Sequence, residues 1–85
     1  MKGANGYMDI KHDLKSLIHE QLEKTASPIF LKRVLMVIEE SGDDKKGLLE
    51  AAEKISKSIS LFIDKAMAVK ILDVMKMRIE KNLSE

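Results

Sequence analysis

The chain has 85 residues, 45 % of them hydrophobic and only 4 % aromatic, with a formal net charge of +1. That length makes one domain near the lower end of what folds alone, and the composition excludes a disordered or fibrous chain. No cysteine is present, which removes disulfides, thiolate metal sites and cysteine nucleophiles together.

A near-neutral balance offers no general field for collecting DNA, RNA or anionic lipid. Thirteen of the fifteen basic residues are Lys, so only Arg33 and Arg78 carry a bidentate fork for phosphate or guanine. Lys2 is followed by Gly3-Ala4-Asn5-Gly6 rather than an apolar run, so no signal peptide is expected. The longest unbroken apolar run, Val34–Ile38, is far short of a membrane span, and a cytoplasmic protein is expected. The aromatics are Tyr7, Phe30 and Phe62, which leaves the core to aliphatic side chains. Small aliphatic cores of this kind are often completed by oligomerisation.

Residues 1–8 carry two glycines and little apolar content, and read as a flexible N-terminal arm ahead of a single helical domain over 9–85. Asp9 is placed to cap a first helix. Ile10, Leu14, Leu17, Ile18 and Leu22 follow at helical spacing, with Lys11, Lys15, Glu20, Glu23 and Lys24 on other faces, and Thr25-Ala26 closes it. Ser27-Pro28 is a strong restart: a capping hydroxyl, then proline where its missing N–H costs nothing.

The second helix, Pro28 to about Glu40, carries the most informative stretch of the chain. Eight of the ten residues of Ile29–Ile38 are apolar. At about 100° per residue, Phe30, Leu31, Val34, Leu35, Val37 and Ile38 share one broad face. Ile29 and Met36 fall on the opposite face, beside Lys32, Arg33, Glu39 and Glu40. A surface helix of a small domain has one apolar stripe, not a second on its back. Either the chain covers this helix on most sides, or the chain associates through it. Ser41-Gly42 ends the helix, with Gly42 suited to a left-handed C-terminal conformation.

Asp43 or Asp44 is expected to cap a third helix with the apolar line Leu48, Ala51, Ala52, Ile55 and Ile59. No Gly or Pro occurs between Leu48 and Glu85. The apolar arc of Met67, Ala68, Ile71, Leu72, Val74, Met75 and Ile79 differs from that of Phe62, Ala66 and Val69. Such a change of face predicts a corner, placed near Ser58–Ser60. No alternating run marks a strand. The expected fold is therefore all-α, a small four-helix domain arranged as two helical hairpins. An echo at an offset of 33 lays Ser27-Pro28-Ile29-Phe30 over Ser60-Leu61-Phe62-Ile63, which reads as generic amphipathic similarity rather than a repeat.

Site chemistry is sparse. His12 and His19 lie seven apart on nearly one side of the first helix, and His19 and Glu23 stand at i,i+4, the spacing of two metal ligands. A zinc protease needs a second histidine where Glu23 stands, and a di-iron bundle needs Glu three residues before each His, where this chain has Asp9 and Ser16. Both histidines read as surface residues. The serines sit mostly at expected helix ends, none in a Gly-x-Ser-x-Gly elbow, and Gly42 and Gly47 flank only Asp-Asp-Lys-Lys. Glu39-Glu40-Ser41-Gly42-Asp43-Asp44 lacks the ligand alternation of a calcium loop. No metal, cofactor or catalytic residue is expected.

The functional reading is therefore a non-enzymatic, self-associating or adaptor module. Its candidate interface is Ile29 and Met36 on the second helix with Phe62, Ala66, Val69 and Met77 on the last. The expected partner is a second copy of the chain in a homodimer, and beyond it a larger protein. The alternative is a helix-turn-helix-like DNA-binding regulator over Leu49–Ser60, with Ala51-Ala52 on the first helix and Ser56-Lys57-Ser58 opening the second. It lacks the glycine turn, and Leu61, Phe62, Ile63 and Asp64 stand where Arg, Asn or Gln should meet bases.

Overall fold

The computed structural model describes residues 6–42 and 44–83. Among these, four helices follow one another as α1 (Gly6–Leu22), α2 (Pro28–Glu40), α3 (Lys45–Phe62) and α4 (Lys65–Leu83), with no strand. The all-α, two-hairpin arrangement expected from the sequence is the one observed. α1 packs on α2 and α3 on α4 as the two hairpins, and α1–α4 and α2–α3 contacts close the set into a ring.

Each helix lends one stripe to a common core. α1 supplies Ile10, Leu14, Leu17, Ile18 and Leu22; α2 supplies Val34 and Ile38; α3 supplies Leu48, Ala52, Ile55 and Ile59; α4 supplies Ala68, Ile71, Met75 and Ile79. The core is aliphatic, as the composition requires, and no described polar or charged residue is buried in it. The alanines of α3 and α4 bring these two long helices close together, and there the Ser56 hydroxyl donates to the Ala68 carbonyl at 3.1 Å.

The helix ends show which local signals prevailed. Ser27 caps α2 as expected, its Oγ accepting from the Phe30 N–H at 3.2 Å, with Pro28 opening the helix. α1 begins at Gly6, so Asp9 lies within its first turn instead of capping it. Of the arm expected over residues 1–8, residues 1–5 lie outside the described residues and 6–8 are helical. Gly42 does not take the left-handed conformation. α2 ends instead on extended Ser41, whose Oγ donates to the Ile38 carbonyl at 2.7 Å. The Ser41 N–H and hydroxyl both donate to the Ile38 carbonyl, at 3.2 and 2.7 Å, the group that a left-handed glycine would otherwise meet.

Asp44 stands at the N-cap of α3, though its side chain makes no capping bond, and Asp43 lies outside the described residues. Gly47 in the first turn of α3 sits at a close approach to the preceding turn. A Cβ there would lie 2.9 Å from Asp44 Oδ1 and 3.1 Å from the Gly42 backbone nitrogen.

The corner expected near Ser58–Ser60 is displaced. α3 runs unbroken to Phe62, and the chain turns at Ile63 and Asp64. Both N–H groups of those residues donate back to the Ile59 carbonyl, at 2.8 and 3.0 Å. Asp64 Oδ2 then accepts from the Met67 N–H at 2.9 Å, capping α4. Aspartate ranks with serine as a helix cap, so Asp64-Lys65-Ala66-Met67 is as good a restart signal as the serines before it. Ser60 is interior to a helix while Ser27 caps one, so the offset-33 echo has no structural counterpart.

This difference is testable by thermal unfolding. Asp64→Ala is expected to lose about 1 kcal/mol, the typical worth of a cap. For a domain of this size that is a fall of roughly 4–8 °C in Tm. Ser60→Ala, in a helix interior, should be neutral or slightly stabilising.

Candidate functional site

The two faces of α2 have different fates. Val34 and Ile38 are buried, with Phe30, Leu31, Leu35 and Val37 packed partly against the core. Ile29 and Met36 remain on the outside, 73 % and 48 % exposed. Among the described residues none wraps the outer side of α2: its second apolar row faces solvent, beside exposed Lys32, Arg33, Glu39 and Glu40.

At the N-terminal end of α2 this row meets the C-terminal end of α3. A groove of about 410 Å³ runs between them, with Ile29 and Phe30 on one wall, Phe62 and Ser58 on the other, and Val34 and Ile55 on its floor. The Phe30 and Phe62 rings meet edge to face, centroids 5.9 Å apart at 62°. That contact orients Phe62, which stays 73 % exposed, without burying it.

The six residues proposed from the sequence are thus distributed unevenly. All six are exposed. Ile29 and Phe62 share the groove, and Met36 stands two helical turns along the same outward row as Ile29. Ala66 follows the corner on the first turn of α4 and Val69 lies one turn further on. Met77, 66 % exposed, sits about 16 Å along α4 from Ala66 and is not part of the groove. Leu61 was missed: it is 73 % exposed beside Phe62. Its signal was the α3 frame itself, because Leu61 is two residues past buried Ile59 and so points to the far side. Placing the corner before Leu61 hid that relation.

Neighbouring electrostatics pin α2 rather than create a reactive centre. α2 has no basic residue in its own last turn. Lys11 from α1 supplies the cation there, donating to the carbonyl oxygens of Ser41 at 2.8 Å and Glu39 at 3.3 Å. Lys15 pairs with the Glu39 carboxylate, and that hydrogen bond, reinforced by the lysine's charge, holds the Glu39 pKa below its ordinary value. On the other side Arg78 of α4 meets Asp13 of α1 at 2.6 Å.

His19 Nδ1 lies 3.6 Å from Glu23 Oε1 on an exposed face of α1. Among the described residues, no three His, Asp or Glu side chains gather as a metal site would need. Ser56, Ser58 and Ser60, read as helix-end residues from the sequence, lie inside α3. Leu49–Ser60 is likewise a single helical stretch, so the turn of the helix-turn-helix reading does not exist there. Lys54 and Lys57 share a surface depression with Glu50 and Glu53, a mixed rather than a basic surface. No described helix is long and apolar enough to cross a membrane. No family model, no curated protein and no solved structure matches this chain.

Two measurements separate this surface from the core. Phe62→Ala should lower stability by about 1 kcal/mol or less, an exposed aromatic contact, whereas Ile55→Ala at the groove floor should lose about 2–5 kcal/mol. For Glu39, a lowered folded pKa favours the ionised form in the folded state. Its stabilising effect is complete above the ordinary carboxylate value and fades as pH falls through the lowered one. The difference in Tm between wild type and Glu39→Gln should therefore be small at pH 7 and vanish in acid, and should shrink with added salt.

Proposed function

We propose that this protein is a non-enzymatic helical interaction module, an adaptor or regulatory protein of the cytoplasm that works by associating with itself as a homodimer. The observation that carries the reading is the apolar surface remaining on so small a chain. Ile29, Leu61 and Phe62 are each 73 % exposed, and Ile29 and Phe62 form opposite walls of one groove. An exposed apolar groove with a charged side chain, Arg33, in its lining is the kind of surface protein contacts use. Met36 extends the surface along α2, and its flexible thioether adapts to an irregular partner.

Full burial of one Ile or Met side chain contributes roughly 1.5–3 kcal/mol. Ile29 and Met36 are 73 % and 48 % exposed, so that part of each remains to be buried, and a two-fold axis doubles the gain toward the cost of association.

Light scattering at micromolar concentration is expected to give the mass of a dimer for the wild type. Met36→Glu combined with Ile29→Lys should give a monomer with unchanged helical circular dichroism. A monomeric wild type refutes the reading. Loss of helix in the double variant would assign both residues to the chain's own stability.

A further inference from the structure

We infer that the outward face of α2 meets the same face of a second copy in antiparallel register, with the two Met36 side chains at the two-fold axis. This rests on the self-association reading above and adds to it the partner's register and the residues that enforce it.

The face is available, since α2 packs inward against α1 and α3 while Ile29, Lys32, Arg33, Met36, Glu39 and Glu40 are exposed. Its charges are arranged about Met36 as a self-complement. Two cations, Lys32 and Arg33, precede it, and two anions, Glu39 and Glu40, follow at mirrored spacing. Viewed down the helix from Met36, Arg33 and Glu40 lie on one flank and Lys32 and Glu39 on the other.

In an isologous contact residue i meets residue j and j meets i. Two antiparallel α2 helices crossing at Met36 therefore set Arg33 against Glu40 of the second copy on one flank. Lys32 meets Glu39 of the second copy on the other. Each pair occurs twice. A parallel arrangement would instead set cation on cation and anion on anion.

The helix dipoles do not oppose this, because the antiparallel pair runs its two dipoles in opposite directions. Lys32, Arg33 and Glu40 form no ion pair among the described residues, whereas Glu39 is already engaged by Lys15. Arg33 and Glu40 are accordingly the discriminating pair. A uniformly acidic or basic partner gains nothing from a face whose charges cancel. A second copy carries the complement at each of the four charged positions flanking Met36.

The test uses the full chain in analytical ultracentrifugation, with circular dichroism confirming helix content throughout. Arg33→Glu disrupts two pairs per dimer and should raise the dimer dissociation constant by at least about tenfold. Arg33→Glu combined with Glu40→Arg reverses the polarity and should restore the affinity to near the wild-type value. The sequence has no cysteine, so an introduced thiol is the sole one. Helices packed at about 8–10 Å bring facing Cα atoms within disulfide range at the axis. Met36→Cys should therefore cross-link to itself under mild oxidation, and Met77→Cys on α4 should not.

A wild type that is monomeric overturns both the association and this register. Three outcomes overturn the register alone and leave a dimer of another geometry. One is a wild-type dimer indifferent to Arg33→Glu. Another is a charge reversal that fails to restore affinity, and the third is equal cross-linking at positions 36 and 77.

Discussion

The two-residue break at Ile63 and Asp64 is the constraint on which the rest of the structure depends. It folds the two longest helices, 18 and 19 residues, into an antiparallel hairpin. The Ile59 carbonyl accepts from both N–H groups of the break, and the Asp64 carboxylate starts α4 afresh. Restarting resets the helical phase. The stripe Leu48, Ala52, Ile55 and Ile59 of α3 can then face Ala68, Ile71, Met75 and Ile79 of α4, which one straight helix would place on diverging sides. The same phase sends Leu61 and Phe62 outward. The exposed end of the groove is thus a consequence of how the core closes.

α2 stands in a different position. It is the shortest helix, 13 residues, and contributes only Val34 and Ile38 to the fully buried core. Its C-terminus lacks cations of its own, and Lys11 and Lys15 of α1 supply them from outside. Those contacts hold the helix from one side. On the other its Phe30 ring rests against Phe62. The result is a helix secured by its neighbours with a whole face uncommitted, and apolar side chains on that face raise the free energy of the isolated chain in water. The self-association proposed above would relieve that cost, with the balanced charges around Met36 selecting the surface that meets it.

Much of the fold was legible because helices advertise themselves locally. The period of about 3.6 residues assigned the core stripes of all four helices, and Ser27-Pro28 located the start of α2. The candidate surface was legible in part for the same reason: Ile29 and Met36 break the single-stripe rule of an amphipathic helix. The corner lies four residues beyond Ser60 because Asp64, as strong a cap as serine, restarts the helix where no Gly, Pro or Ser marks a break. The outward place of Leu61 follows from that displacement. Glycine so often takes a left-handed cap that Gly42 suggests one, yet the Ser41 N–H and hydroxyl both occupy the Ile38 carbonyl instead.

The sequence alone thus determined the secondary structure class, the inward face of each helix and the aliphatic nature of the core. These depend on residue type and on neighbours within a few positions. Tertiary structure alone decided that Ile29 and Met36 stay outside, since whether a face is covered depends on where other helices end. It decided that Phe62 opposes Ile29 across a groove, a pairing of residues 33 positions apart in the chain. It decided that Arg78 reaches Asp13 and that Lys11 reaches the end of α2, contacts between charges with many sequence partners of equal merit. Periodicity is a property of one helix. Coverage is a property of the packed set, and it appears only when the chain has closed on itself.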